Sequence, residues 1–318
     1  MPTGYGFQGI CGVGKEGTWG TPVVATQKIP IISSAFTRSF SQVMSHALIG
    51  VHGRSMSGRG AAAVAGTLMT HLTYGARLFL LERFFGTFTD NASPPDEYGL
   101  DPTTEGVGLT IAVQRGVSVL EVAGFKPNVF TLSGSNADGF HAGFTGMFKS
   151  TSISSATNTT TVLNALADPS KHCLYEELTL QIGAIGGALT AFSPDTMSLT
   201  LNRNQVNATV NAYDPLEPLE NDFLEGTLQV VLPRHTTDQF ITWHQTYVPL
   251  MAIISISDGV NTKEFRINRM IIPTDPSPQV DGPALLKSTI NFTLFHDKGN
   301  TNAHASFPFL EAARCYET

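Results

Sequence analysis

The chain has 318 residues, 42% of them hydrophobic and only 14% charged, with a formal net charge of −7. A soluble domain usually carries about 25% charged residues, so partners are expected to cover part of this surface, and the acidic balance argues against a protein that grips nucleic acid. Three cysteines, Cys11, Cys173 and Cys315, lack CxxC spacing, which argues against a disulfide scaffold or a zinc site and fits synthesis in a reducing compartment.

Taken in order, residues 1–22 are glycine-rich and read as an N-terminal arm. Gly12-Val13-Gly14-Lys15 imitates a phosphate loop, but Glu16 stands where Ser or Thr is needed and no helix pattern follows. No signal-peptide pattern and no apolar run of about 18 residues is found, so neither secretion by a signal peptide nor membrane insertion is expected. Residues 23–40 read as extended, with Phe36 and Phe40 on one face. Residues 41–63 read as a long loop holding Arg54 and Arg59, of a length that is usually functional. Ala65–Leu72 is a strand with Leu68 and Leu72 on one face. Residues 75–86 are predicted helical, with Leu80, Leu81, Phe84 and Phe85 as the apolar stripe and Gly86 as the stop. After a Pro/Asp/Gly loop at 89–107, strands resume at 109–114, 117–125 and 129–132, and Phe140, Phe144 and Phe148 line another.

Residues 151–174, rich in Ser, Thr and Asn, are predicted to be a connector. Beyond it come strands at 178–182 and 196–201, then a second long loop, 204–223, carrying Asp214, Glu217 and Glu220. Glu225–Leu232 is a strand. Thr236–Tyr247 is predicted helical, with Thr237 as its cap and Phe240, Ile241, His244 and Tyr247 on one face. Ala252–Ile256, a turn at Asp258-Gly259, Glu264–Ile272 and a last strand with Ile290, Phe292 and Leu294 complete the order.

Gly66-Thr67-Leu68 recurs as Gly226-Thr227-Leu228, and Phe144-Thr145 recurs as Phe292-Thr293. The unequal spacing is accounted for if 89–107 holds an insertion in the first copy. The chain is therefore read as mainly β, with two similar β-sandwich or barrel units, each with a short flanking helix. Unit one spans 23–150 and unit two 175–300, with the connector 151–174 between them and a C-terminal arm at 301–318.

No constellation carries chemistry. No serine sits in a Gly-x-Ser-x-Gly elbow, and His71, His141 and His296 lie on predicted strands without a partner motif. The acidic second loop lacks the alternating oxygen spacing of a calcium site. No cofactor or metal is expected, and the chain is read as no enzyme. Arg54 and Arg59 of the first loop, and Asp214, Glu217 and Glu220 of the second, are candidates for contacts between copies, where charge complementarity fixes register. The alternative is two solvated loops.

The opening Glu16-Gly17-Thr18-Trp19-Gly20-Thr21-Pro22-Val23, followed by Ile29-Pro30, resembles the start of major tail tube proteins of long-tailed bacteriophages. The downstream order of elements is similar too, over most of the chain. The resemblance implies a virion tail protein, assembled in the host cytoplasm, that forms stacked rings. Inner strands would pair across subunits into a closed β-barrel, and a long loop would reach the next ring. A duplicated member would form a trimer with pseudo-sixfold symmetry, where a single-unit member forms a hexamer. Expected partners are further copies of the chain, the tape measure protein, the tail terminator and distal tail proteins, and viral DNA passing without specific binding during ejection. A ring of three chains would carry three times the −7 of one chain, and an acidic lumen would repel DNA. Two other readings stay open: a different β-rich virion component (capsid decoration or tail fibre module), and a soluble β-sandwich binding module.

Overall fold

The structure is a computed structural model that describes residues 9–44, 57–74, 78–89, 96–100, 107–169, 171–207, 214–278, 286–295 and 310–316. The first half of the chain supplies β1 (Cys11–Lys15), β2 (Gln27–Ile29), β3 (Ile31–Met44), β4 (Ser57–His71), α1 (Phe79–Phe85), β5 (Gly86–Thr89), β6 (Asp96–Leu100), β7 (Leu109–Gln114), β8 (Val119–Ser135), β9 (Gly139–Met147) and β10 (Ser150–Ile153). A short α2 (Thr160–Asn164) and a 3-10 turn (Tyr175–Glu177) follow. The second half supplies β11 (Leu178–Ala184), β12 (Thr190–Phe192), β13 (Thr196–Asn202), β14 (Gln205–Val206), β15 (Leu219–Glu220), β16 (Glu225–Leu232), α3 (Gln239–Gln245), β17 (Leu250–Ser257), β18 (Thr262–Ile271), β19 (Ser288–Leu294) and β20 (Leu310–Tyr316).

Most pairings of the first half have a counterpart in the second, while β5–β6, β6–β20 and β14–β15 have none. β1 pairs β2 and β7, as β11 pairs β12 and β17. β4 lies between β3 and β9, as β16 lies between β13 and β19. β8 pairs β7, β9 and β10, as β18 pairs β17, β19 and β20. Register agrees as well. Leu68 faces Phe144 and Thr67 faces Thr145, while Leu228 faces Phe292 and Thr227 faces Thr293. The halves join where β8 pairs β13, from Val129↔Asn202 to Ser135↔Thr196. The resulting layer runs β3-β4-β9-β8-β13-β16-β19. Among the described residues no sheet closes on itself.

Period-two alternation builds the core. Leu68, Leu72, Leu228 and Leu232 are buried as expected, and the Phe side chains of β8, β9 and β19 pack beside them. One hydrophobic cluster spans both halves. Phe130 of the first and Phe265 of the second stack with ring centroids 6.2 Å apart.

Several elements differ from the sequence reading. In the loop expected at 41–63, the described residues 41–44 and 57–63 are strand, because β3 and β4 continue as a two-stranded arm. Its pairing runs to Met44↔Ser57, past the Gly66 where β9 stops. The 89–107 loop contributes β6, which pairs β5 and β20. The connector holds α2, capped by the Thr159 side chain accepting from Val162 N at 3.3 Å. α1 begins at Phe79, with 75–77 outside the described residues, and ends at Gly86 with φ +100°, a conformation open to glycine. α3 ends before Tyr247, which is 67% exposed at φ +53°. Thr237 still helps at its start by accepting from Gln239 N at 3.2 Å. The C-terminal arm includes β20, paired to β18.

Candidate functional site

The face of the β3–β19 layer turned away from the core is a continuous polar surface built by regular structure. Its residues align in rows across the strands. One row runs Met69, Gly143, Thr131, Thr200, Thr227, Thr293. The next runs His71, His141, Ser133, Ser198, Gln229, Asn291. Neither row holds an Asp, Glu, Lys or Arg. Glu225 enters the row on the arm side, opposite Asn202. The face is hollowed. Ser198, Thr200, Thr227, Gln229, Asn291 and Thr293 line a depression of about 360 Å³. Gln229 Nε2 donates to Asn291 Oδ1 at 2.9 Å, tying neighbouring amides sideways along the sheet.

Two edges bound this layer. Among the described residues β3 pairs only with β4. β19 meets β18 only at Met270 and Ile271, and in residues 272–277, which follow β18, Pro273 and Pro276 each remove one backbone donor while the remaining positions keep theirs.

Four of the five residues expected to join copies, Arg59, Asp214, Glu217 and Glu220, lie near the end of the layer from which the arm projects. Arg54 lies outside the described residues. Arg59 is on β4 with its guanidinium 3.5 Å from the centre of the Phe40 ring, a cation–π contact. The three acidic residues of the second loop pair within the chain. Asp214 pairs with Arg38. Glu217 pairs with the buried Lys126 at 3.1 Å, whose Nζ also donates to Pro218 O at 2.9 Å. Glu220 pairs with Arg203, itself 2% exposed, whose Nη1 donates to Phe84 O at the end of α1 at 2.7 Å. The loop is thus clamped onto the first half of the chain, with Leu219 and Phe223 left 57% and 87% exposed. Lys126 and Arg203 carry no sequence signal for this role, since their partners lie on a distant or irregular stretch.

Glu16 is another residue whose role the sequence hides. It is 2% exposed, and its carboxylate accepts from Gly20 N at 2.6 Å, Gly124 N at 2.7 Å and Thr110 Oγ1 at 2.8 Å. Burial pushes its carboxyl upward, and these hydrogen bonds oppose the shift. Trp19 Nε1 donates to Gly124 O at 2.9 Å, with Lys149 Nζ over the indole at 5.3 Å. Glu16-Gly17-Thr18-Trp19-Gly20 is therefore a folding staple that holds the first segment to β7 and β8. Lys15, which suggested a phosphate loop, pairs with Glu82 of α1 at 2.6 Å.

At the opposite end of the layer a polar joint connects the halves. Glu177 accepts from Tyr74 Oη at 2.6 Å, Lys171 Nζ at 2.7 Å and Leu174 N at 2.7 Å. Burial works against its charge, but these donors outweigh it and hold its carboxyl below the usual range. Lys171 also reaches Asp258 at 3.4 Å. Hydrogen bonds from Asn261 N and Val260 N bring Asp258 down to about 2. His71, His141 and His172 gather here, their rings 5.1 and 4.8 Å apart. Burial first, then its two neighbours, lowers the His71 pKa. His296 lies outside the described residues. Among the described residues no three His, Cys, Asp or Glu side chains are placed to hold a metal ion, and no helix is long and apolar enough to cross a membrane. Cys11 and Cys173 are buried, and burial pushes the Cys11 thiol up to about 12.

A protein family described as "Phage tail tube protein" matches residues 6–294. No curated protein matches the chain.

Proposed function

Because the chain belongs to the phage tail tube protein family and is a structural subunit of a phage virion's tail, we propose how it builds the tube. Two equivalent wall units, the product of an internal duplication, stand side by side in each chain. The matching strand pairings around β4 and β16 and the shared Thr67/Thr227 register support that reading. Three chains form a ring of pseudo-sixfold symmetry, with a ring of six as the alternative. Stacked rings make the conduit through which DNA leaves.

The observation that carries this is the β8–β13 junction, which joins the two halves inside the chain. Its counterpart between chains sets β3 of one copy against the segment after β18 of the next. That pairing covers the open edge of β3, which in an isolated subunit is a site for uncontrolled strand addition. About twenty strands from three chains, spaced ~4.8 Å and tilted ~40°, close at a backbone diameter of roughly 40 Å, wider than a DNA duplex. The hollowed hydroxyl-and-amide face then lines the bore.

The arm and the clamped second loop contact neighbouring copies or rings, with Arg54, Arg59, Asp214, Glu217 and Glu220 as the candidate residues. Asp214, Glu217 and Glu220 act mainly by holding the loop in shape, since each already has a partner in its own chain. The tape measure, tail terminator and distal tail proteins are the proposed protein partners, and assembly takes place in the host cytoplasm. The chain has no catalytic role in this account.

Register makes the junction testable. Within the chain Ser133 faces Ser198. Counting from the shared Thr145/Thr293 and Leu68/Leu228 registers, Asp275 corresponds to Ser133 and Ser33 to Ser198. Directly opposed residues have Cβ atoms about 5 Å apart, close enough to cross-link. Ser33→Cys/Asp275→Cys tubes, oxidised and run under denaturing conditions, should give a ladder that stops at three chains. No inter-chain product in assembled tubes refutes the junction.

A further inference from the structure

We propose that residues 272–277 form an assembly strap: folded as a turn in the free subunit, they withhold the edge that joins chains, and they open into a strand when β3 of the next copy arrives. This rests on the reading that β3 pairs with this segment between chains. The observation behind it is a difference between the two halves. In the first, Val129 to Ser135 belong to β8 and pair β13 residue for residue. The registers shared by the halves put Ile271 to Ser277 at the corresponding place. Yet β18 ends at Ile271, and the chain bends at Thr274.

The bend is held from several sides. The Asp275 carboxylate accepts from Ser277 N at 3.0 Å and from Ser277 Oγ at 2.6 Å, an Asx turn. These bonds, the hydroxyl first, hold its carboxyl below the usual carboxylate range. His244 of α3 donates from Nδ1 to Ile272 O at 2.9 Å. Pro276 is buried, while Pro273, Thr274, Asp275 and Ser277 around it are exposed. A strand rises ~3.3 Å per residue and carries Ser277 away from Asp275, so the turn and the ladder exclude each other. Opening gives up the Asp275 bonds before any bond to β3 forms. The isolated chain therefore stays in the turn, and the strand is populated only where a β3 edge is offered. A permanently open segment beside the unpaired edge of β3 would instead let subunits add to one another without control. Pro273 and Pro276, each lacking a donor, weaken the ladder in the same direction without abolishing it.

The test compares purified full-length parent, Asp275→Val, Asp275→Asn and Ser277→Ala chains, with melting temperature checking that each folds. Asparagine keeps the acceptor and the turn but removes the charge, whereas valine removes the acceptor and favours extension. Tube formation is read by sedimentation across a concentration series. Asp275→Val should form tubes at a subunit concentration about fivefold below parent, the scale set by two hydrogen bonds that opening no longer breaks. Ser277→Ala, which lacks only the hydroxyl bond, should fall between them, and Asp275→Asn should match parent. Asp275→Val that needs the parent concentration overturns the proposal. So does Asp275→Asn that assembles as readily as Asp275→Val, because charge and not the turn would then be the barrier. If Asp275→Val does not fold, Ser277→Ala decides, and parent behaviour there overturns the strap. A map of parent tubes separates the two levels. A ladder between 272–277 and β3 of the next chain is the expected result. If the segment lies along β3 but keeps its Asp275–Ser277 turn, the strap fails alone; if β3 pairs elsewhere, the junction has failed and the strap with it.

Discussion

Arg203→Met should cost the folded subunit about 3 kcal/mol and free its second loop. Arg203 is 2% exposed, and methionine replaces its aliphatic stem but stops short of the guanidinium, so every polar contact is lost and only a small void is added. Phe84 O loses the Nη1 donor that now sits at 2.7 Å, and a buried acceptor left unsatisfied costs about 1–3 kcal/mol. Removing one partner of a buried ion pair costs about 3–5 kcal/mol. Glu220, with its side chain 23% exposed, can recover part of its hydration, which places the sum near the lower bound. Adding Glu220→Gln removes the stranded charge and should restore about 1 kcal/mol. Urea unfolding of the unassembled subunit, followed by far-UV circular dichroism, reads these differences at constant m. A loss below about 0.5 kcal/mol for Arg203→Met would refute the clamp, because surface substitutions alone produce effects of that size.

Gly124 has φ +76°, and a Cβ there would lie 3.0 Å from Lys149 Cβ and Trp19 Nε1, so Gly124→Ala should destabilise by about 1–3 kcal/mol and redshift Trp19 fluorescence. Asp258 and Glu177 have depressed pKa values, so their stabilisation is complete above the ordinary carboxylate range and is lost as pH falls through the folded values, toward 2 for Asp258. Melting temperature should therefore drop between about pH 5 and pH 2.5, and Asp258→Asn should flatten that drop; an unchanged slope would argue against the joint. Cys11, pushed up to about 12 by burial, should resist iodoacetamide in the folded chain and react once urea unfolds it. Replacing residues 45–56 with a two-residue turn should leave subunit stability within about 0.5 kcal/mol while abolishing stacking, read by sedimentation of assembled tubes.

The sequence conveyed the fold where local pattern and packing agree. Leu68, Leu72, Leu228 and Leu232 alternate with exposed positions, and the structure buries all four. The recurring Gly-Thr-Leu and Phe-Thr pairs proved to be register partners within each half, Leu68 with Phe144 and Leu228 with Phe292. The arm was misread because Gly58, Gly60 and the serines around them look like turn punctuation, whereas a two-stranded ribbon tolerates small residues when both strands pair along their length. α2 has five residues, too short for a helical period to show. The loop clamps were invisible for a different reason. Lys126 and Glu217 are 91 positions apart, and only the fold brings them together. The same holds for Glu16, whose three donors include groups 94 and 108 positions away. A formal charge of −7 likewise says nothing about which face bears it.

The most direct test of the central claim is a cryo-electron microscopy map of tubes assembled from the full chain, at a resolution that separates strands. Three chains per ring, their two halves alternating six times around a bore lined by the Gln229 and Thr200 rows, is the predicted result. Six chains per ring, or a bore lined by any other face of the molecule, would contradict it.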